Sequence, residues 1–167
     1  MEITTEQIKD LRQESGAGIM DCRNALKETY GDKAKALALL QKQGFVKAQK
    51  SAGRTAKQGL VASYIHGGGR IGALVEINCE TDFVARTTEF QELAKNVAMQ
   101  VAAMDPQYLS KDSCPIGIEL DFQNVCLLLQ PYIKDPTKNL QDLVTELIAK
   151  TGENIMISRF SRFELGK

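Results

Sequence analysis

The chain has 167 residues, 43% of them apolar, and it carries 21 basic and 21 acidic side chains. This size and composition suit one ordinary domain, or a small domain beside a medium one. The neutral charge balance excludes an overall field that would attract nucleic acid or an anionic membrane. The sequence shows no basic leader flank and no apolar run of about 18 residues, so it predicts a cytoplasmic protein.

Side chains that build active sites and metal sites are few and scattered along the chain. Only one histidine is present, no C-x-x-C pair occurs, and zinc ligand spacing is absent. Four cysteines are predicted to be free thiols: Cys22, Cys79, Cys114 and Cys126. The stretch GGGRIG matches a dinucleotide fingerprint, but a strand pattern follows it instead of the required helix. We therefore expect no enzyme, no metal and no cofactor.

Three short helices are predicted in residues 1 to about 44. The first begins with the capping-box pair Thr4 and Gln7, and Asp32 is placed to cap the third. We expect Gly44 to end the third helix. The residues that face inward share helical spacing: Ile8, Leu11, Ile19, Cys22, Leu26, Leu37 and Leu40. A unit this small has a tiny core and is expected to lean on a partner or neighbour.

The segment 45–59 is basic and Ala-rich, with cations three or four residues apart: Lys47, Lys50, Arg54 and Lys57. This spacing predicts that they line one side of a helix, with 51–59 as a basic linker helix between domains over 1–50 and 60–167. The strip is either a solvated linker or a surface that faces an acidic partner. RNA binding is less favoured, because no aromatic side chains lie between the charges to stack on bases.

A half-buried antiparallel hairpin is predicted from 60–66 and 70–80, because apolar and polar residues alternate in the second run. A helix follows, with Thr88 and Gln91 at capping-box spacing. Its apolar stripe recurs at helical intervals: Phe90, Leu93, Ala94, Val97, Ala98, Val101 and Ala102. We expect this helix to pack on the hairpin.

The C-terminal part repeats this logic, with an amphipathic helix that starts near Leu140, closes at Gly152 and precedes the strand pattern NIMISRFSRFEL. The segment 105–130 contains prolines and predicts no single element type. Strands and helices are segregated along the chain. The predicted fold is therefore α+β, with a small antiparallel sheet packed by helices.

The stretch NCETDFVAR places Phe83 where the strand pattern stops and the helical pattern begins. One interpretation is a staple residue that packs back on its own helix or sheet. The other is a ring held outward at a stiff corner, available to enter a pocket on another protein.

Three ordered stretches resemble the elongation factor Ts family, the guanine nucleotide exchange factors of the GTPase elongation factor Tu in bacteria: IKDLRQESGAGIMDCRNALKETYGD, NCETDFVAR and TGENIMISRFSRFELG. The resemblance implies that the N-terminal helices form a ubiquitin-associated-like domain. It also implies that Thr81, Asp82, Phe83 and Val84 contact the GTPase and dislodge the magnesium ion that helps to hold GDP. The same matching implies that the N-terminal domain grips the GTPase through Arg12, Ile19, Met20 and Arg23.

The chain also departs from the family pattern. Members commonly carry a longer helical insertion where this chain has only 105–130, and long members add a second core half and a coiled-coil hairpin. Likeness to the short members implies two copies per assembly, as a homodimer through the sheet and a 2:2 complex with elongation factor Tu. Neither a membrane nor direct binding to nucleic acid is expected. An alternative function is a protein-interaction adaptor that uses the three-helix module and promotes no exchange.

Overall fold

The structure is a computed structural model and describes residues 3–117 and 119–167. The described residues divide into two compact units. The first unit contains the chain up to Gly53 together with Thr145–Glu153, and the second contains Arg54–Val144 together with Asn154–Lys167. The partition that the sequence predicts, at 1–50, 51–59 and 60–167, stays a prediction.

The first unit is built on helices α1 (Thr5–Ser15), α2 (Ile19–Glu28) and α3 (Lys33–Ser51). The capping box at Thr4 starts α1 and the Asp32 carboxylate accepts a hydrogen bond from the Lys35 backbone N–H, so both predicted caps are confirmed. A small core of buried side chains joins the three helices: Leu11, Cys22, Ala25, Leu26, Ala36 and Leu40. Ile19 was expected to face inward, but its side chain is exposed.

The prediction that Gly44 ends the third helix is wrong, because α3 continues through it to Ser51. Gly44 is buried, and a Cβ atom there would lie 3.0 Å from the Cβ atom of Ala149 in helix α7 (Leu140–Thr151). The glycine therefore permits close packing of two helices and does not terminate one. The helix instead ends after Ser51, with Ala52 as its C-cap.

The predicted linker helix over 51–59 is also wrong. After Ser51 the chain leaves the helical conformation, and strand β1 begins at Gln58. The backbone carbonyl of Arg54 accepts a hydrogen bond of 2.7 Å from the side-chain amide of Asn154, and the Arg54 guanidinium lies 3.3 Å from a carboxylate oxygen of Glu80. These tertiary contacts fix Arg54 at the start of the second unit. The helical spacing of the basic residues therefore does not decide the conformation of this segment.

The second unit contains a three-stranded antiparallel sheet with strand order β1-β2-β5. Its strands are β1 (Gln58–His66), β2 (Ile71–Cys79) and β5 (Met156–Glu164). A 3₁₀ turn over Gly67–Gly69 joins β1 to β2, which confirms the predicted hairpin. Odd-numbered residues of β2 from Ala73 to Cys79 are buried, as the alternation predicts.

Helix α5 (Thr88–Met104) packs on β1 and β2, and the whole predicted apolar stripe is buried. Its N-cap is Thr87 and not Thr88, because the Thr87 hydroxyl accepts the hydrogen bond from the Phe90 backbone N–H. Capping by the preceding threonine corrects the predicted helix start by one residue. Helix α4 (Asp82–Ala85) lies between β2 and α5.

The segment between α5 and α7 is mostly irregular. It contains the one-turn helix α6 (Phe122–Val125), 3₁₀ turns at Lys111–Ser113 and Leu127–Leu129, and a hairpin of β3 (Pro131–Tyr132) with β4 (Asp135–Asn139). The buried Gln100 side chain anchors the hairpin, since it donates to the Pro131 carbonyl and accepts from the Ile133 N–H, each at 3.0 Å. The sequence did not predict this second small sheet.

The architecture confirms the predicted α+β class, with three helices before a small antiparallel sheet that helices cover. The ubiquitin-associated-like character of the N-terminal helices stays a prediction. Across residues 3–117 and 119–167, every helix is too short or too polar to span a bilayer.

Candidate functional site: an aromatic corner

A short turn of helix sets the spacing between the strand and the helix on either side of the corner. Strand β2 ends at Cys79, the four-residue helix α4 follows at Asp82–Ala85, and α5 begins at Thr88. Buried Ala85 anchors α4 against the sheet and α5. The chain thus turns from strand to helix within a few residues, and the predicted site residues Thr81, Asp82, Phe83 and Val84 form one continuous corner.

Hydrogen bonds brace the corner on both sides. The Thr81 hydroxyl accepts from the Val84 backbone N–H at 3.4 Å, and the Thr81 carbonyl accepts from the buried Cys79 thiol at 3.1 Å. On the other side, the Thr87 hydroxyl donates to the Val84 carbonyl at 2.7 Å. Polar groups of a tight turn that are paired in this way leave the backbone little freedom. The corner is therefore a stiff support.

Phe83 lies on the outside of this support, with 79% of its side chain exposed. The staple interpretation is therefore wrong, because a staple ring would be buried against the helix it precedes. The aromatic ring that fills the core beside the corner is Phe90, which is 0% exposed. A large exposed ring on a rigid turn is suited to insertion into a pocket on another molecule.

Each carboxylate near the corner has a polar partner. Asp82 forms an ion pair of 2.8 Å with Arg86, one helical turn later. Glu80 accepts a hydrogen bond of 2.6 Å from the Asn154 N–H. The hydrogen bond from the Arg159 guanidinium lowers the pKa of Glu76, which stays ionised at neutral pH. Paired carboxylates are structural groups here and suit a surface that binds by shape.

The predicted N-terminal site residues are all exposed. Arg12 lies in the last turn of α1, while Ile19, Met20 and Arg23 lie in the first turns of α2. The side chains of Ile19 and Met20 are 54% and 58% exposed, so α2 begins with an unburied apolar pair. This surface belongs to the first unit and the corner belongs to the second.

The outward face of the sheet is a further apolar surface, which the sequence reasoning missed. Strand register places these exposed side chains on the face opposite α5: Val61, Ile65, Leu74 and Phe163. Of these, Ile65, Leu74 and Phe163 line a shallow groove of about 540 Å³ together with Leu165. Gly72 makes room for the groove, since a Cβ atom there would lie 2.9 Å from Ile65 Cδ1. Alternation in β1 could have revealed this face, because apolar residues stand at both parities of that strand.

Comparison with known proteins finds relatives of this chain in one family. A family model described as elongation factor Ts matches residues 46–119, which include the corner. Elongation factor Ts of Thermotoga petrophila is 48% identical over 195 aligned positions that cover 100% of this chain and 98% of the relative. The proteins of the same name from Carboxydothermus hydrogenoformans and Caldanaerobacter subterraneus are 47% and 46% identical, cover 99% of this chain, and are themselves covered over 90% and 98% of their lengths.

Proposed function

Because the chain belongs to the elongation factor Ts family, we propose that it binds elongation factor Tu loaded with GDP and accelerates the release of that nucleotide. The observation that carries the proposal is the exposed Phe83 ring on its braced corner. Exchange of this kind needs no covalent chemistry by the factor. The chain acts as a wedge that alters the shape of the nucleotide pocket in its partner.

The proposed target of the wedge is the magnesium ion that helps the GTPase to hold GDP. Magnesium requires near-ideal octahedral geometry with oxygen ligands, so a shift of about an ångström in the loops that support it weakens nucleotide binding. Phe83 would enter the GTPase beside those loops, with Thr81, Asp82 and Val84 fixing the direction of entry. Burial of a phenylalanine is worth about 1.5 to 3 kcal/mol, which corresponds to roughly one to two powers of ten in rate.

The second contact in this proposal is the apolar start of α2 with the nearby cations. Ile19 and Met20 would pack on a helix of the GTPase, and Arg12 and Arg23 would approach its polar rim. Interface centres are often apolar and their rims charged, and the exposure of this pair supports that arrangement. The role of this surface is to add binding affinity for the GTPase, while the corner alters the nucleotide pocket.

Thermodynamic linkage explains how one surface can serve a cycle. An exchange protein that binds the nucleotide-free GTPase more tightly than the nucleotide-bound form weakens nucleotide binding. The affinity for nucleotide falls by the same ratio as the two affinities for the exchange protein differ. Returning nucleotide must then weaken the hold of the factor to the same extent. The chain is released when GTP enters, and no energy source beyond nucleotide binding is required.

Two copies of the chain are proposed to pair through the outward face of the sheet, giving a 2:2 complex with elongation factor Tu. The groove lined by Ile65, Leu74 and Phe163 is apolar, and the ion pair of Glu76 with Arg159 places both charge signs on the same face. A surface with this mixture can meet a second copy of itself across a two-fold axis without like-charge repulsion.

The exchange proposal is tested by stopped-flow release of a fluorescent GDP analogue from elongation factor Tu. We expect this chain to accelerate release, and we expect excess magnesium to reduce the acceleration because metal and factor oppose each other. A chain that binds elongation factor Tu and leaves the release rate at its intrinsic value would contradict the proposal and favour the adaptor function.

The pairing proposal is tested by sedimentation of the free chain. The wild-type chain should sediment as a dimer and Phe163→Ser as a monomer, because the substitution removes an exposed ring from the groove. Tyr30→Ser is the matched control, since Tyr30 is an exposed aromatic residue of the first unit. It should leave the dimer intact. A wild-type chain that remains monomeric at high concentration would contradict the pairing.

A further inference from the structure

Two cysteines in the irregular segment between α5 and α7 lie side by side. The sulfur atoms of Cys114 and Cys126 are 3.4 Å apart, and both cysteines are free thiols. A disulfide bond is about 2.0 Å long, so the two sulfurs would need to come closer by about 1.4 Å. Neither thiol takes part in the corner, the α2 surface or the sheet face.

The backbone holds both cysteines in place. Cys126 forms an isolated bridge with Tyr108, and the next residue, Leu127, donates a hydrogen bond of 2.8 Å to the Tyr108 carbonyl. Cys114 donates its N–H to the Lys111 carbonyl at 3.0 Å, directly after the turn that the Ser110 capping box closes. Two anchored positions thus hold the sulfur atoms next to each other, which is the proximity that a disulfide needs.

From this juxtaposition we propose that Cys114 and Cys126 are an oxidative modification site, at which a low-molecular-weight disulfide converts the two thiols into an intramolecular disulfide that thiols reverse. The bond would close the loop 115–125 into a ring. That loop carries the fully exposed Ile116 at its surface. In the reduced protein the weak contact between the two sulfurs joins its ends.

The two thiols differ in solvent accessibility, and this difference determines which of them reacts first with the oxidant. Cys114 is partly exposed, whereas Cys126 is 0% exposed. Burial, followed by the neighbouring Cys114 thiol, raises the pKa of Cys126 to about 11. Cys126 is therefore protonated at neutral pH and shielded from reagents, and Cys114 is the thiol that an oxidant meets first.

The chemistry is a pair of thiol–disulfide exchanges. The Cys114 thiolate attacks one sulfur of oxidised glutathione, which forms a mixed disulfide and releases one glutathione thiolate. Cys126 then loses its proton to solvent and its sulfur attacks the Cys114 sulfur, which expels the second glutathione. The chain loses two electrons and two protons, and one molecule of oxidised glutathione becomes two of the reduced form.

The test treats the intact chain with oxidised glutathione, unfolds it in denaturant to block and count the remaining thiols, and digests it with trypsin. Cleavage after Lys111 and Lys134 leaves both cysteines in peptide 112–134, while Cys22 and Cys79 fall in separate peptides. The proposal predicts a 112–134 peptide that is lighter by two hydrogen atoms, with the four titratable thiols reduced to two. Reducing agent should restore the original mass.

Two variants sharpen the result. Cys114→Ser should retain all three of its thiols, because the accessible first reactant is gone and Cys126 is buried. The matched control Cys22→Ser removes another buried thiol that contacts Ser15 and the Ala17 carbonyl, and it should still form the disulfide. Four intact thiols in the treated wild-type chain, a stable glutathione adduct, or a disulfide between two copies would each overturn the proposal.

Discussion

The corner at Thr81–Ala85 and the helix α5 that follows it each present one phenylalanine, and the two rings have opposite surroundings. Phe83 is 79% exposed on the corner, while Phe90 is 0% exposed beneath α5. Both are supported by the same hydroxyl: Thr87 donates to the Val84 carbonyl and accepts from the Phe90 N–H. One threonine thus braces a ring that points outward and starts the helix that buries the other.

The different exposure of the two rings assigns one to the stability of the fold and the other to binding of a partner. A buried ring contributes through close packing in the folded chain, whereas an exposed ring can contribute only when another molecule covers it. Substitutions at the two positions should therefore move different measurements. The predictions below range from the largest expected effect on stability to the smallest.

Phe90→Ala should have the largest effect on folding. Removal of a fully buried ring leaves a cavity among the side chains of α5 and the sheet, and such changes typically cost about 3 to 5 kcal/mol. Urea denaturation followed by circular dichroism measures the loss. Phe90→Leu, which keeps most of the volume, serves as the control and should lose much less. Equal, small losses for both variants would mean that Phe90 does not fill the core.

Thr87→Ala should have an intermediate effect, because it removes the cap of α5 and one brace of the corner. Loss of an N-cap hydroxyl costs roughly 0.5 to 2 kcal/mol. Thr88→Ala is the matched control: Thr88 is an exposed residue within the helix, and its change should be nearly neutral. Thermal unfolding of the two variants decides between the caps. A larger loss for Thr88→Ala would restore the start that the sequence predicted.

Phe83→Ala should have the smallest effect on folding, within about 0.5 kcal/mol of the wild type. The exposed ring has few contacts to lose within its own chain. The same urea titration measures this variant beside Phe90→Ala. A loss comparable to that of Phe90→Ala would remove the distinction between the two rings and revive the staple interpretation.

The sequence predicts elements well wherever period and burial agree. The stripe from Phe90 to Ala102 and the alternation of β2 both specify one buried face, and the structure confirms both. Prediction from the sequence fails where tertiary contacts decide the local structure. Gly44 is compatible with a helix end or with close packing against Ala149, and only the fold shows which. Residue propensities also do not predict the β3-β4 hairpin, because hydrogen bonds of the buried Gln100 amide hold it in place.

The corner was only half predictable. The sequence places Phe83 at the junction of strand and helix, where neither the strand period nor the helix period predicts which way a side chain faces. The ring could therefore pack back on its own chain as a staple or face outward as an anchor for a partner. Threonines at 87 and 88 both offer a hydroxyl, and backbone geometry selects the first of them. The resemblance to elongation factor Ts favoured the outward ring, and the exposure of Phe83 agrees with it. The contacts with elongation factor Tu remain a proposal.

Release of fluorescent GDP from elongation factor Tu in the presence of Phe83→Ala tests the central claim most directly. The account predicts release that is roughly ten- to a hundredfold slower than with the wild-type chain, while binding to elongation factor Tu stays detectable. Circular dichroism on the same preparation establishes that the variant is folded. Release as fast as that with the wild-type chain, from a folded variant, would contradict the claim that this ring opens the nucleotide pocket.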